Sequence, residues 1–292
     1  MQSRKQSEPK RQEAARSGGA APAPVAEMNR SFSGSMPELY DRFLVPLQFE
    51  PFAKDLAERL ETLTSGHLLE VAAGTGVVTR ALARILPIAV HITATDLNPA
   101  MLEQAKKHVG AQRVVWREAD AMALPFPDQT FDHLVCQFGV MFFPDKRAGF
   151  REARRVLRSG GRFLFNVWGD KSGTARLLAE QVVGEKLSRD PARLVAPEYN
   201  DVETVKADLS AAGFVSVSAE KVSKRTRSAS AREAAIANCH GGMLRAQIDK
   251  LAPGRLDEIT AAVEVALAAR FGNGAVEAPL HAIVFSGVVP GH

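Results

Sequence analysis

Three acidic residues, Glu70, Asp96 and Asp120, each close an apolar run, and the first of these runs leads into the glycine turn Gly74-Thr75-Gly76. An apolar run that ends in an acid and then drops into small residues reads as a buried parallel strand feeding a tight turn. In such a turn Gly74 and Gly76 supply backbone freedom and let the main chain approach a ligand closely. Asp96 stands 20 residues beyond Gly76, where a carboxylate at the end of a second strand can accept hydrogen bonds from both hydroxyls of an adenosine ribose. Together these residues describe a nucleotide-cofactor loop.

Charge separates the candidate cofactors. Gly74, Gly76 and Thr79 come close to the dinucleotide pattern GxGxxG, alone a weak signal. A pyrophosphate needs helix N-terminal amides and no anion beside it, and Glu70 stands on the strand end that leads into the loop. A carboxylate there repels a pyrophosphate and welcomes an ammonium group. S-adenosylmethionine has an amino group and a sulfonium but no phosphate, so Glu70, Asp96 and Asp120 suit its amino acid, ribose and adenine portions in turn. Methyl transfer from a sulfonium mainly requires that the acceptor atom be aligned and shielded from water. Neither a catalytic triad nor a metal cluster is needed, and the sequence suggests neither. A hydroxyl acceptor does require a base, whereas a neutral amine needs only positioning.

Ligands in open α/β sheets sit beyond the carboxyl ends of the strands, which places Gln137, Phe138 and Met141 after the fourth strand, and Asn166 and Trp168 after the fifth, on the acceptor side. Gln137 is expected to orient acceptor or cofactor; Phe138 and Met141 read either as core packing or as acceptor wall, and Trp168 as lining the same cleft. His240 sits beside the Gly241-Gly242 pair in a helical region over the acceptor and is the candidate general base, while His67, His91, His133 and His281 fall in or beside strands and His108 on a helix. Tyr40 and Phe49, in the aromatic segment Met36 to Leu63, read either as ordinary packing of an N-terminal helix on the core or as a lid over cofactor and acceptor.

The elements that must position these groups alternate. Strands are expected at His67 onward, Ala89 to Asp96, Arg113 to Asp120, Phe131 to Gln137 and Arg162 to Val167, with helices at Val77 to Leu86, after Asn98-Pro99 and at Lys146 to Arg158. That alternation means a parallel, doubly wound sheet. In the lid segment Pro46 and Pro51 are expected to break the chain into two short helices. Further on, helices are expected near Gly173 to Leu187 and from Asn200, with Glu203 completing a capping box and Gly213 ending the helix. Phe214 to Val222 and His281 to Val289 read as the last strands, flanking a mostly helical stretch from Ala231 to Phe271 interrupted at Gly241-Gly242 and Pro253.

Among 292 residues, 46% are hydrophobic, enough for a full core, and 37 basic against 33 acidic residues leave a net charge of +4 spread along the chain. A spread-out charge of that size argues against nucleic-acid binding. Cys136 and Cys239 have no CxxC partner, so no zinc site or disulfide framework is indicated, and a reducing, cytoplasmic setting fits. No apolar stretch reaches the roughly 20 residues that span a bilayer. Residues 1–28, rich in Arg, Lys, Gln, Ser, Ala and Pro, are expected to be a disordered basic tail.

The runs LLEVAAGTG, ATDLNPAML, READAMALPFPDQTFDHLVCQFGVMFFPD and REARRVLRSGGRFLFNVW resemble the class I S-adenosylmethionine-dependent methyltransferases, in particular the small-molecule branch of ubiquinone/menaquinone-biosynthesis type. The resemblance is strong over residues 36–168. It implies a Rossmann-like α/β fold, with a seven-stranded, mostly parallel sheet whose last strand runs antiparallel between the fifth and sixth, plus helical cap elements. It also implies cofactor contacts from Glu70, Ala72, Gly74, Gly76, Asp96, Leu97, Met101, Asp120 and Ala121, to which the reading of the lid segment and of the loop after the fourth strand adds Tyr40 and Gln137. Ala72 departs from the family, which usually has glycine there. The expected organisation is one methyltransferase domain over residues 29–292, with lid helices at 29–66, a cofactor core at 67–168 and an acceptor-side cap at 169–292. The expected activity is transfer of a methyl group to an O, N or C atom of a small-molecule acceptor by a monomer or homodimer. The alternatives are a nicotinamide-dependent oxidoreductase and a non-catalytic S-adenosylmethionine-binding protein.

Overall fold

The computed structural model describes residues 34, 36–110, 112–195 and 198–291, so the expected tail at 1–28 lies outside the described residues. Apolar runs flanked by turns form the central strands β1 (Gly66–Val71), β2 (Val90–Asp96), β3 (Val114–Glu118), β4 (Phe131–Gln137) and β5 (Leu157–Trp168), followed by β6 (Val215–Ser228) and β7 (Val276–Val288). They make one seven-stranded sheet in the order β3-β2-β1-β4-β5-β7-β6. The pairs from β3 through β5 are parallel, and β7 runs antiparallel between β5 and β6. Strand order reverses at β1 and β4, so a crevice opens beyond their carboxyl ends. Register brings Glu70 opposite Ala94 and Val135, and Gln137 opposite Asn166, on one edge of the sheet.

Helices α3 (Val77–Ile85), α4 (Pro99–Lys106), α5 (Lys146–Val156) and α7 (Val202–Ala211) follow β1, β2, β4 and the segment after β5. Asn98 caps α4 through its side chain, which accepts from the amides of Ala100 and Met101. Leu68, Leu69, Leu134, Val135, Phe163 and Phe165 are buried at the centre of the main core. A second apolar cluster lies apart from it. It is built from α6 (Ala175–Leu187), α8 (Ala231–His240), α9 (Met243–Leu251), α10 (Leu256–Phe271) and the start of β7, and it is rich in small residues such as Ala179, Ala234, Ala235 and Ala278.

The structure departs from the sequence expectations in several places. The prolines do not divide the lid segment: α1 (Met36–Leu39), a π-helical stretch (Tyr40–Phe49) and α2 (Glu50–Glu58) run on without a break. Pro46 sits inside the wider π turns, which absorb its missing donor, and Pro51 occupies the first turn of α2, where no donor is needed. Strand β3 ends at Glu118, and Asp120 lies in a turn bridged to Ala123. Strand β5 continues back through Gly160-Gly161, because the Gly160 amide donates to the Val289 carbonyl and the Val289 amide to the Gly161 carbonyl. Helix α7 is capped by Asp201, which accepts from the Thr204 amide at 2.9 Å, rather than by an Asn200–Glu203 box. Gly213, at φ +92°, ends that helix as expected.

Candidate functional site

The turn after β1 is held from below. Glu70 is buried, and Thr79 Oγ1 donates to its Oε2 at 2.5 Å. Burial, reinforced by the Asp96 charge and opposed by the Thr79 hydrogen bond, pushes the Glu70 carboxyl up from 4.5 to about 8. Asp96 pins the turn from β2, its Oδ2 accepting from the Gly74 amide and its Oδ1 from the Asn98 amide, both at 2.8 Å. Burial raises the Asp96 carboxyl too, against the pull of those amides. Gly74 has φ +56°, and nothing lies within 4 Å of where a side chain would begin, so the backbone here faces open space. Gly76 has a different job. At φ +79° it opens α3, and a β-carbon there would stand 3.0 Å from Ala105 and 3.1 Å from Trp116.

Ala72 also adopts a left-handed conformation, φ +54°, which costs an alanine what a glycine would not lose. Its methyl fills the gap to the loop after β4: a β-carbon at Gly139 would meet it at 2.5 Å. Glu70, Ala72, Gly74, Thr75, Tyr40 and Gln137 surround a small recess of about 30 Å³. Gln137 Nε2 donates to the Phe49 carbonyl at 3.3 Å, and its buried Oε1 has no partner among the described residues. A recess with an ionisable carboxyl, an unmet acceptor and an exposed glycine backbone suits an ammonium-bearing ligand.

The helical stretch Tyr40–Phe49, the segment expected to act as a lid, is clasped to this turn through Asp41. Its carboxylate accepts from Thr75 Oγ1 at 2.8 Å and pairs with Arg80 Nη2 at 3.0 Å and His108 Nε2 at 2.6 Å. Three elements, the glycine turn, α3 and the stretch after α4, thus converge on one lid residue. Tyr40 beside it is partly buried, and desolvation of its hydroxyl together with the Asp96 and Asp41 charges holds that hydroxyl well above the usual range.

Next to the recess opens a cavity of about 340 Å³. Asp96, Leu97, Met101, Asp120, Ala121 and Tyr40 line it on the β2–β3 side, with Asp120 Oδ1 accepting from the Met122 amide at 2.8 Å. An aromatic wall faces them. Phe138 and Trp168 stack with centroids 3.7 Å apart and planes 11° apart, and Phe49 lies 5.7 Å from the first and 5.6 Å from the second. The buried Asn166 holds Phe138 at its φ of +51° by accepting from the Phe138 amide at 2.9 Å. The cap adds Arg176 and Glu180 from α6 and Asn238 from α8. Sequence reasoning missed these three, as it missed Asp41.

Three expected residues lie elsewhere. His240 is half-buried at the end of α8 with its Nε2 3.0 Å from Thr260 Oγ1 on α10, and it is not part of the cavity wall. The Gly241-Gly242 pair turns the chain so that Gly242, Met243 and Leu244 face the cavity instead. Met141 is buried in the main core, where its carbonyl accepts from Lys146 Nζ at 3.0 Å. Gly76 packs behind the turn, as described above.

Comparison with known proteins fits this geometry. The family model for a methyltransferase domain matches residues 69–165. Over 205 residues the chain is 28% identical to the ubiquinone/menaquinone biosynthesis C-methyltransferase of Saccharophagus degradans, covering 64% of this chain and 77% of that protein. The chain is an S-adenosylmethionine-dependent methyltransferase. A shorter match, 40% identical over 100 residues, joins the methyltransferase to the demethylmenaquinone methyltransferase of Deinococcus radiodurans, covering 34% of this chain and 41% of the relative. In fold the methyltransferase is similar to the [4+2]-cyclase SpnF, with a TM-score of 0.63, 20% identity and coverage of 94% and 100% of the two chains. It is also similar to the Haemonchus contortus phosphoethanolamine N-methyltransferase 2 solved with S-adenosyl-L-methionine, with a TM-score of 0.58, 18% identity and coverage of 90% and 60%. The oxidoreductase alternative finds no support in these comparisons. No helix among the described residues is long and apolar enough to cross a membrane.

Proposed function

We propose that this methyltransferase alkylates a flat, largely apolar small molecule, at a ring carbon or an already ionised oxygen, inside the cavity behind the lid. The observation that carries the reading is the continuity of one cavity from the acidic strand ends to the stacked wall of Phe49, Phe138 and Trp168. Relatives named as C-methyltransferases of ubiquinone and menaquinone biosynthesis lend support for a ring acceptor.

In this reading Glu70 and Gln137 Oε1 hold the amino group of S-adenosylmethionine, and Ala72 and Gly74 pass close to its amino acid portion. Asp96 has accepted one amide on each oxygen and keeps lone pairs for ribose hydroxyls. Leu97 and Met101 flank the adenine, with Asp120 and Ala121 near its amino edge. When bound, the cofactor supplies a methyl group activated on a sulfonium. The protein's own work is to orient and to exclude water: the aromatic wall aligns a flat acceptor, and the Asp41 clasp keeps the lid shut. The described residues lining the cavity include no histidine, and Tyr40 is held protonated, which favours acceptors that need no strong base.

Residues 29–292 are read as one domain, active as a monomer or homodimer, and the buried free thiols Cys136 and Cys239 suit the cytoplasm. Methyl transfer from labelled S-adenosylmethionine to a panel of neutral and ionised phenols, naphthols and quinols tests the reading. Product from ring acceptors and none from aliphatic amines is the expected result, and the reverse preference would overturn it.

A further inference from the structure

The acceptor end of the cavity holds a guanidinium with unspent donors. Arg176 stands in the first turn of α6, and its Nε donates to Glu180 Oε1 at 2.7 Å one turn later. Its guanidinium carbon lies 4.8 Å over the ring centroid of Trp168, the residue stacked on Phe138. One edge of the fork is therefore fixed by Glu180 and its plane by the indole. The two terminal nitrogens have no acceptor among the described residues, although the side chain is only 14% exposed and lines the cavity. Glu180 is 1% exposed and is shared with Lys171 Nζ at 3.4 Å, which also reaches the solvent-facing Glu198 at 3.3 Å. Those four charges cancel, so the group does not repel an apolar ligand. What remains is directional, a planar pair of N–H donors beside an aromatic wall.

We propose that Arg176 recognises a carboxylate on the acceptor, so that this methyltransferase takes planar aromatic acids, the ring against the Phe49–Phe138–Trp168 wall and the carboxylate on the terminal N–H groups of Arg176. An arginine fork matches a carboxylate in two parallel hydrogen bonds, which a lysine cannot reproduce. Glu180 is a positioning residue: it touches no ligand and sets the fork's angle. The other polar lining groups near Arg176, the hydrogen-bonded pair Gln48 and Asn238 and the Tyr40 hydroxyl, are neutral and leave the anion to Arg176. The inference rests on the cavity being the acceptor's site.

The test is calorimetric binding of 2-naphthoate and its neutral isostere 2-naphthamide to the full chain saturated with S-adenosylhomocysteine. The acid is expected to bind about 10- to 100-fold more tightly than the amide, the worth of a charge-assisted fork. Arg176→Lys, which keeps the charge beside Glu180, should erase most of that preference while leaving S-adenosylhomocysteine affinity within about twofold of the parent. Glu180→Gln should shrink the preference without abolishing it. Equal binding of acid and amide, no binding of the acid in the millimolar range, or a preference that survives Arg176→Lys overturns the assignment. If S-adenosylhomocysteine itself fails to bind, the reading of the cavity as a methyl-transfer site falls first, a result distinct from loss of the acid preference alone.

Discussion

Replacing Glu70 by glutamine tests the charge logic of the floor. The carboxyl stands at about 8 in the folded chain against 4.5 for an ordinary glutamate. The folded state therefore binds more protons than the unfolded state between those values, and this group's contribution is fully present below pH 4.5 and is lost as pH rises toward 8. At pH 7 the unfolded chain has gained roughly 3 kcal/mol from ionising a carboxyl that the folded chain keeps neutral. Glutamine has nearly the same shape, can still accept from Thr79, and never ionises. Urea midpoints of the ligand-free protein should be similar for parent and Glu70→Gln near pH 4.5 and diverge as pH rises, the variant the more stable at pH 7. Cofactor affinity should move the other way, because the amide cannot pair with an ammonium. In the parent, S-adenosylhomocysteine binding at pH 7 should release about one proton, read from calorimetry in buffers of different ionisation enthalpy, as ligand ionises the carboxyl. Parallel stability curves for the two proteins, or binding without proton release in the parent, would refute the reasoning.

Asp41→Ala removes three contacts at once and leaves Arg80 facing a half-closed lid; stability should drop by about 2 kcal/mol, less than for a fully buried pair, and S-adenosylhomocysteine should dissociate faster in stopped-flow. Ala72→Gly relieves the left-handed backbone and should raise thermal stability by about 0.5 to 1 kcal/mol, whereas Gly139→Ala should destabilise, because its methyl would stand 2.5 Å from Ala72 Cβ and 2.7 Å from Cys136 Sγ. His240→Ala should cost about 1 kcal/mol through its Thr260 contact and keep near-parental turnover across pH; a lost acidic limb in the rate profile would restore a base role to His240.

The floor of the site was legible because its signals are local. An apolar run ending in an acid fixes both a buried strand and the residue at its tip, and Glu70 and Asp96 lie where that pattern puts them, whereas β3 stops at Glu118 and leaves Asp120 in the turn beyond. Longer-range features were not. Arg176 and Glu180, four apart on α6, read in sequence like any solvated helix pair; only the packing of the cap turns them inward. His240 misled because a glycine pair suggests motion, but helix periodicity aims it at α10. Strand β6 runs six residues past its expected end at Val222, since the exposed Lys221, Arg225 and Arg227 mask an alternation completed by pairing with β7.

The cap's separate, alanine-rich cluster has an evolutionary consequence. Because the helices bearing Arg176, Glu180 and Asn238 rest on their own interior, substitutions there, in the proposed reading of the cap as the acceptor side, would reshape what the enzyme accepts without passing through the packing beneath Glu70 and the glycine turn. Donor chemistry and acceptor choice can drift on different clocks. With so many small residues in that interior, enlargement of one side chain would slide one helix over another, and in the proposed reading a new acceptor would be reached by shifting the cap as a piece while the donor floor stayed as it is.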